Sequence, residues 1–137
     1  MNANRMWHLI AEMVSIYSKE GDADKAMETL TKALTLEPQW VPNALFDERT
    51  ALLRDRADFK TLTTFAPDDA PAHYNAAQVA LEYREFDRAY DYLSVTFRLA
   101  ELEGTLEYLL EAIREDDVFR PHLKDPRIAA LLTAHGG

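Results

Sequence analysis

The chain has no cysteine among its 137 residues. Disulfides, a thiol nucleophile and any cysteine-based zinc site are therefore excluded. Glycine is nearly as sparse, at four residues, too few for the turns of a hairpin-rich β-sheet. No apolar run approaches the ~18 residues of a membrane-spanning helix. Positive charge is also short. Lys and Arg number 15 against 24 Asp and Glu, a formal net charge of −9. Nucleic-acid binding needs clustered cations, as does attachment to anionic membranes, and neither is expected. The balance permits a basic protein partner, but a solvated acidic surface is the favoured reading.

What remains is the composition of a folded chain, 47% apolar and 28% charged, on the ordered side of the boundary with disorder. A chain of this length buries roughly two-thirds of its unfolded surface, and one domain over residues 1–137 is expected. The opening Met1-Asn2-Ala3-Asn4-Arg5 leads into Trp7-His8-Leu9-Ile10-Ala11-Glu12. Glu12 interrupts the apolar run and no small-residue cleavage pattern follows, so the segment does not read as a signal peptide. A cytoplasmic protein is expected.

Apolar residues recur with a helical period almost throughout. Met6, Ile10, Met13, Val14 and Tyr17 predict the buried face of a first helix. Gly21 can end it in the left-handed conformation, and Asp22 can cap the next helix. That helix aligns Ala26, Met27, Leu30, Ala33 and Leu34, and Pro38 closes the hairpin. Between Trp40 and Phe65, Val41, Leu45 and Leu52 predict one helix. A turn over 55–58 and a short helix with Phe59, Leu62 and Phe65 complete the segment. Asp69 with Pro71 opens a further helix bearing Tyr74, Ala77, Ala80 and Leu81. Phe86, Ala89, Tyr90, Leu93, Phe97 and Ala100 mark the next. Leu102, Leu106, Leu109, Leu110 and Ile113 predict another buried stripe. Asp125-Pro126 begins a last helix with Ile128, Leu131 and Leu132, and His135-Gly136-Gly137 is expected to fray. Leu53-Arg54-Asp55 with Phe59 and Leu62 is echoed by Leu123-Lys124-Asp125 with Ile128 and Leu131. The echo is either a tandem of two units or a coincidence of short helical sequence.

Two stretches carry a shared signature. Tyr17, Gly21, Ala26, Leu30, Ala33 and Pro38 follow one another at ordered spacings, and Ala77, Phe86, Ala89 and Leu93 repeat part of that series. The series resembles the tetratricopeptide repeat (TPR), a helix–turn–helix unit of about 34 residues. Its small residues let helix axes approach to ~8–10 Å. Several positions depart from the family pattern: Val14 and Ala77 at the first-helix glycine, Ile10 and His73 at the tryptophan, Thr96 at the second crossing alanine. The resemblance implies an all-α, right-handed TPR-like superhelix, an alpha-alpha solenoid of about eight antiparallel helices. Its parts would be a repeat over 6–39, a degenerate hairpin over 40–66, a repeat over 70–103 and a C-terminal capping hairpin over 104–135.

The resemblance also implies a function: a non-catalytic protein–protein interaction module that takes a partner peptide or helix in the concave groove. By motif position the first hairpin contributes Ala11, Ser15, Ser18 and Lys19 to that groove, and the second contributes Tyr74, Asn75, Gln78 and Glu82. Asn75 stands where chaperone-binding TPRs hold peptide backbone, but Ala11 and Ser15 replace the rest of that clamp. Two other readings remain open: a homo-oligomeric element, such as a homodimer, stacking through its end hairpins, and a regulatory or targeting piece of a larger enzyme. Glu103, Glu107, Glu111 and Glu115 recur every fourth residue, as an acidic ridge for a basic partner or as a solvated face. Trp7 and Trp40 are either buried plugs or exposed anchors. The four histidines lack metal-ligand spacing, Asp68-Asp69 and Asp116-Asp117 read as caps and turns, and no phosphate-binding glycine loop occurs. No catalytic residue, metal or cofactor is expected.

Overall fold

The computed structural model describes residues 3–135, and the fraying expected of Gly136 and Gly137 lies outside them. The fold is all-α, with no strand among the described residues. Where composition predicts one domain, the chain divides after Phe65 into two compact units. No helix among the described residues is long and apolar enough to cross a membrane.

The first unit opens with a helical hairpin, α1 (Ala3–Lys19) and α2 (Ala23–Leu36). Gly21 turns the chain with φ of 82°, a conformation that costs other residues roughly 1–2 kcal/mol. The Asp22 carboxylate then accepts the Lys25 N–H at 3.1 Å and caps α2. Ala26 and Ala33 are buried with Leu30 in the core of this unit. The buried face of α1 is rotated from the expected one. Trp7, Ala11 and Val14 point inward, whereas Met6 and Met13 are 41% and 43% exposed and share an outer stripe with Leu9 and Ile16. The Trp7 indole accounts for the rotation. It is the largest side chain on the helix, it packs 6.0 Å from the Trp40 ring, and it finds a buried hydrogen-bond partner that methionine could not use. Both tryptophans are buried.

After a 3-10 turn over Pro38–Trp40 comes α3 (Val41–Phe46), a second 3-10 turn over Glu48–Leu53, and α4 (Ala57–Leu62). The single helix expected through Leu52 is therefore broken. The break falls at Asp47, whose backbone is extended (φ −76°, ψ 127°) and whose carboxylate accepts the Arg49 N–H. The side chain offers the backbone an alternative to continued helix. Leu53 and Phe59 beyond the break are nearly fully buried, each worth about 1.5–3 kcal/mol of burial.

The second unit begins with α5 (Ala70–Glu82) and α6 (Phe86–Glu103). Asp69 caps α5 through the Ala72 N–H at 3.0 Å, with Pro71 in the first turn. At the hairpin bend Arg84 takes the left-handed conformation, φ 62°, that Gly21 takes in the first unit. Ala77 and Ala89 are buried, and so are Leu93 and Phe97. Thr96 is also buried, its hydroxyl returned to the Tyr92 carbonyl at 2.8 Å, so a polar residue fits the crossing at no unpaired cost.

Gly104, φ 74°, ends α6, and α7 (Leu106–Glu115) starts two residues later. This bend corrects two expectations. Leu102 is 79% exposed at the end of α6, so the buried stripe begins only in α7. Glu103 is on α6, so the acidic series is split between two helices. Phe86, expected inside, is 40% exposed in the first turn of α6 and lies 5.8 Å from the His122 ring. A 3-10 turn over Arg120–His122 leads to α8 (Pro126–Ala134). Asp125 caps α8 by accepting the Arg127 and Ile128 N–H groups. His135 continues the last turn and contacts Glu101.

The two units share one plan: a helical hairpin, a short third helix ending at an aspartate, a 3-10 turn, and a final helix. The echo in sequence between Leu53-Arg54-Asp55 and Leu123-Lys124-Asp125 marks the same stretch of that plan, before the final helix.

Candidate functional site

In each unit the aspartate that ends the third helix captures side chains of the first. In the first unit Asp47 is only 3% exposed. Its Oδ2 accepts the Trp7 Nε1–H at 3.0 Å. Its Oδ1 accepts the Arg49 backbone N–H at 3.0 Å. The Arg49 guanidinium closes a two-pronged pair, Nε to Oδ1 at 2.9 Å and Nη2 to Oδ2 at 2.8 Å, the geometry that makes arginine–carboxylate contacts strong. Arg49 Nη1 also donates to Glu12 at 3.1 Å, and Nη2 lies 2.8 Å from His8 Nδ1. The Asp47 hydrogen bond, followed in weight by that to Glu12, raises the guanidinium pKa against the opposing effect of burial.

In the second unit Asp116 has the corresponding place. Its Oδ1 accepts the Val118 N–H at 2.9 Å. Its Oδ2 accepts Tyr74 Oη–H at 2.7 Å and the Gln78 side-chain amide at 2.5 Å. The Tyr74 ring also packs 5.3 Å from Phe119, which is fully buried. Here every donor is neutral. The Tyr74 phenol is held above its ordinary pKa, first by burial and then by Asp116. The Glu82 carboxyl is likewise pushed up, first by desolvation and then by the Asp116 charge.

Beside this carboxylate opens a groove of about 370 Å³, within the ~300–1,000 Å³ range of small-molecule and anchor sites. Its apolar walls come from Pro71 and Tyr74 of α5, Ala100 of α6, and Tyr108, Leu109 and Ala112 of α7; Thr96, Glu103 and Thr105 add polar atoms. Tyr108 is 77% exposed, a large ring left at the mouth. The helical period gives α7 three faces. Leu110 and Ile113 are buried, Tyr108, Leu109 and Ala112 line the groove, and Glu107, Glu111 and Glu115 share the remaining exposed face with Arg114. The polar atoms of Tyr74 and Thr96 are already spent on Asp116 and the Tyr92 carbonyl. The groove is therefore suited to receive apolar side chains.

The residues named from sequence fall differently. Tyr74 lines the groove, Tyr74 and Gln78 meet on Asp116, and Glu82 feels its charge. Asn75 is half-buried on α5. On α1, Ala11 has no exposed surface and packs in the core of the first unit, and Ser15 is 7% exposed, so neither offers contact area to a ligand. Ser18 is half-buried, with an Oγ that has no hydrogen-bond partner, and Lys19 is exposed. Sequence reasoning did not reach Asp47 and Asp116 as tertiary anchors, nor Tyr108, Leu109 and Ala112 as a surface. The first pair had a signal, an aspartate preceding each echoed segment. The second had none, because their period also fits a buried face.

The chain matches no known protein family, no curated protein and no solved structure.

Proposed function

We propose that this chain is a TPR-like, non-catalytic protein-interaction module that binds a partner peptide or helix in the groove of its second unit. The observation that carries the reading is the apolar groove between α5 and α7, flanked by the exposed Tyr108 ring. Under the repeat assignment α5 and α7 are the first helices of successive hairpins, the positions that line TPR grooves. The buried Ala26, Ala33, Ala77 and Ala89 support that assignment. Helix-in-groove recognition needs preformed apolar surface that takes anchor side chains, and this groove offers such a surface.

Photo-crosslinking tests the proposal. A photoreactive phenylalanine analogue at Tyr108 should form a covalent adduct with a cellular protein. The same analogue at Lys60, an exposed residue of α4 in the other unit, should form none. Equal labelling from both positions, or an adduct at Tyr108 that survives filling of the groove by Ala112→Trp, would refute it.

A second reading, self-association through the N-terminal hairpin, is favoured by the outward apolar stripe Met6, Leu9, Met13 and Ile16 on α1. Sedimentation velocity separates the two: Leu9→Glu should dissociate such an oligomer and leave groove binding unchanged.

A further inference from the structure

The lining of the groove carries charge of one sign only. Asp24, Glu28, Asp47, Asp58, Asp87 and Asp117 each pair with a lysine or arginine. Glu103, which lines the groove, has no ion-pair or hydrogen-bond partner among the described residues, and the same holds for the side chains of Glu107 and Glu111. No Lys, Arg or His lines the groove. Glu103 is also the last residue of α6, whose final turn contains no basic residue. The C-terminal end of a helix carries partial negative charge and favours a cation by roughly 0.3–1 kcal/mol. A carboxylate there is placed against that field. The mouth of the groove thus combines an apolar floor, an exposed aromatic ring, an unpaired carboxylate and a negative helix end.

We propose that the groove seats a basic amphipathic protein segment, whose apolar side chain fills the cleft between Tyr74 and Tyr108 and whose Lys or Arg pairs with Glu103 at the end of α6. The inference rests on the groove being the binding surface, as argued above, and adds the charge of the occupant. Asp116 is not part of the groove's lining, and Glu103 is the one charged residue there, so Glu103 is the residue that selects for a cation. Selection by charge of this kind acts on encounter rate and on rejection of acidic competitors.

Fluorescence anisotropy with three labelled helical peptides tests the inference. The first carries leucines at i and i+4 with lysines on the flank, the second replaces lysine by glutamate, and the third replaces leucine by alanine. The leucine/lysine peptide should bind. Each of the other two should bind about tenfold more weakly or worse, since several exposed charges at ~0.2–1 kcal/mol each are reversed or the apolar anchors are lost. Glu103→Gln should weaken the first peptide about two- to fivefold, the value of one exposed pair, with its thermal unfolding unchanged or raised. Ala112→Trp, an exposed position on the wall, should abolish binding.

Equal binding of the lysine and glutamate peptides, both lost in Ala112→Trp, overturns the charge selection and leaves the groove as the site. Binding that survives Ala112→Trp, or no binding by any peptide, overturns both. A concentration-dependent dimer that Ala112→Trp dissociates would make a second copy the occupant, and would also overturn the inference.

Discussion

Removing the carboxylate of Asp47 should be the most damaging single polar substitution in the first unit. Asp47→Ala leaves three groups without their acceptor. The Trp7 indole N–H loses the acceptor it reaches at 3.0 Å in a position only 1% exposed, and an unsatisfied buried donor costs about 1–3 kcal/mol. The Arg49 N–H loses the cap that starts the 3-10 turn, about 0.5–2 kcal/mol by analogy with helix caps. The guanidinium loses its two-pronged partner, and breaking a buried pair by deleting one member costs about 3–5 kcal/mol. Arg49 is 24% exposed at its side chain and keeps Glu12, so water and Glu12 recover part of that.

A loss of about 3–5 kcal/mol is therefore expected for Asp47→Ala. That is comparable to the whole stability of a small unit at ~0.05–0.15 kcal/mol per residue. Asp47→Asn keeps the shape and one acceptor oxygen but places an NH₂ against donors, and should cost about 2–3 kcal/mol. Urea unfolding followed by tryptophan emission reads the first unit directly, because both tryptophans lie within it. A double-mutant cycle of Trp7→Phe with Asp47→Asn isolates the indole bond, with Trp40 as the reporter. The coupling should be about 1–2 kcal/mol. A cost below about 1 kcal/mol for Asp47→Ala, or no coupling in the cycle, would show that the carboxylate does not hold the unit together.

Ala26→Glu and Ala89→Glu should each lower stability by several kcal/mol, because the crossings have no room and no partner for a charge; a wild-type melting curve by circular dichroism for either would contradict the hairpin packing. Arg84→Gly should stabilise by about 0.5–1 kcal/mol by relieving the left-handed backbone, whereas Gly104→Ala should cost about 1 kcal/mol. Nothing lies within 4 Å of a Cβ built at Gly104, so that cost is conformational alone, and calorimetry should show the two opposite shifts. Glu82 has a native pKa raised above 4.5, so the native state binds its proton more tightly than the unfolded state. Its destabilising effect is present at neutral pH and is relieved as pH falls through the native pKa toward 4.5. Glu82→Gln should therefore be more stable than wild type at pH 7, and the difference should shrink on acidification; a constant difference across that range would refute the assignment.

The helical hairpins were legible because their signals are local. Gly21, Asp22, Asp69, Gly104 and Asp125 act within a few residues of themselves, and each sits at the turn or cap expected of it. The rotation of α1 was not legible. Met6 and Met13 satisfy the helical period as well as Trp7 and Val14 do, and only the distant Asp47 and Trp40 decide between the two faces. The break at Asp47 escaped for the same reason, since its carboxylate is fixed by Trp7, 40 residues away in sequence. Of the groove's lining only Tyr74 was named from sequence as a site residue, while Gln78 and Glu82 on the same face of α5 fall beside Asp116. The opposite wall escaped because the spacing of Tyr108, Leu109 and Ala112 does not distinguish an apolar surface left open from one that is covered.

The repeated aspartate has a consequence for how far such a chain can drift. A carboxylate offers two oxygens and about four lone-pair directions, so it tolerates a change of donor far better than a donor tolerates a change of acceptor. One copy is closed by an indole and a guanidinium, the other by a phenol and an amide. For the clasp itself the donors need only keep some hydrogen to give, while the acidic position has no substitute of the same reach. Two halves built this way can differ in every side chain that meets the acid while still shutting by the same clasp.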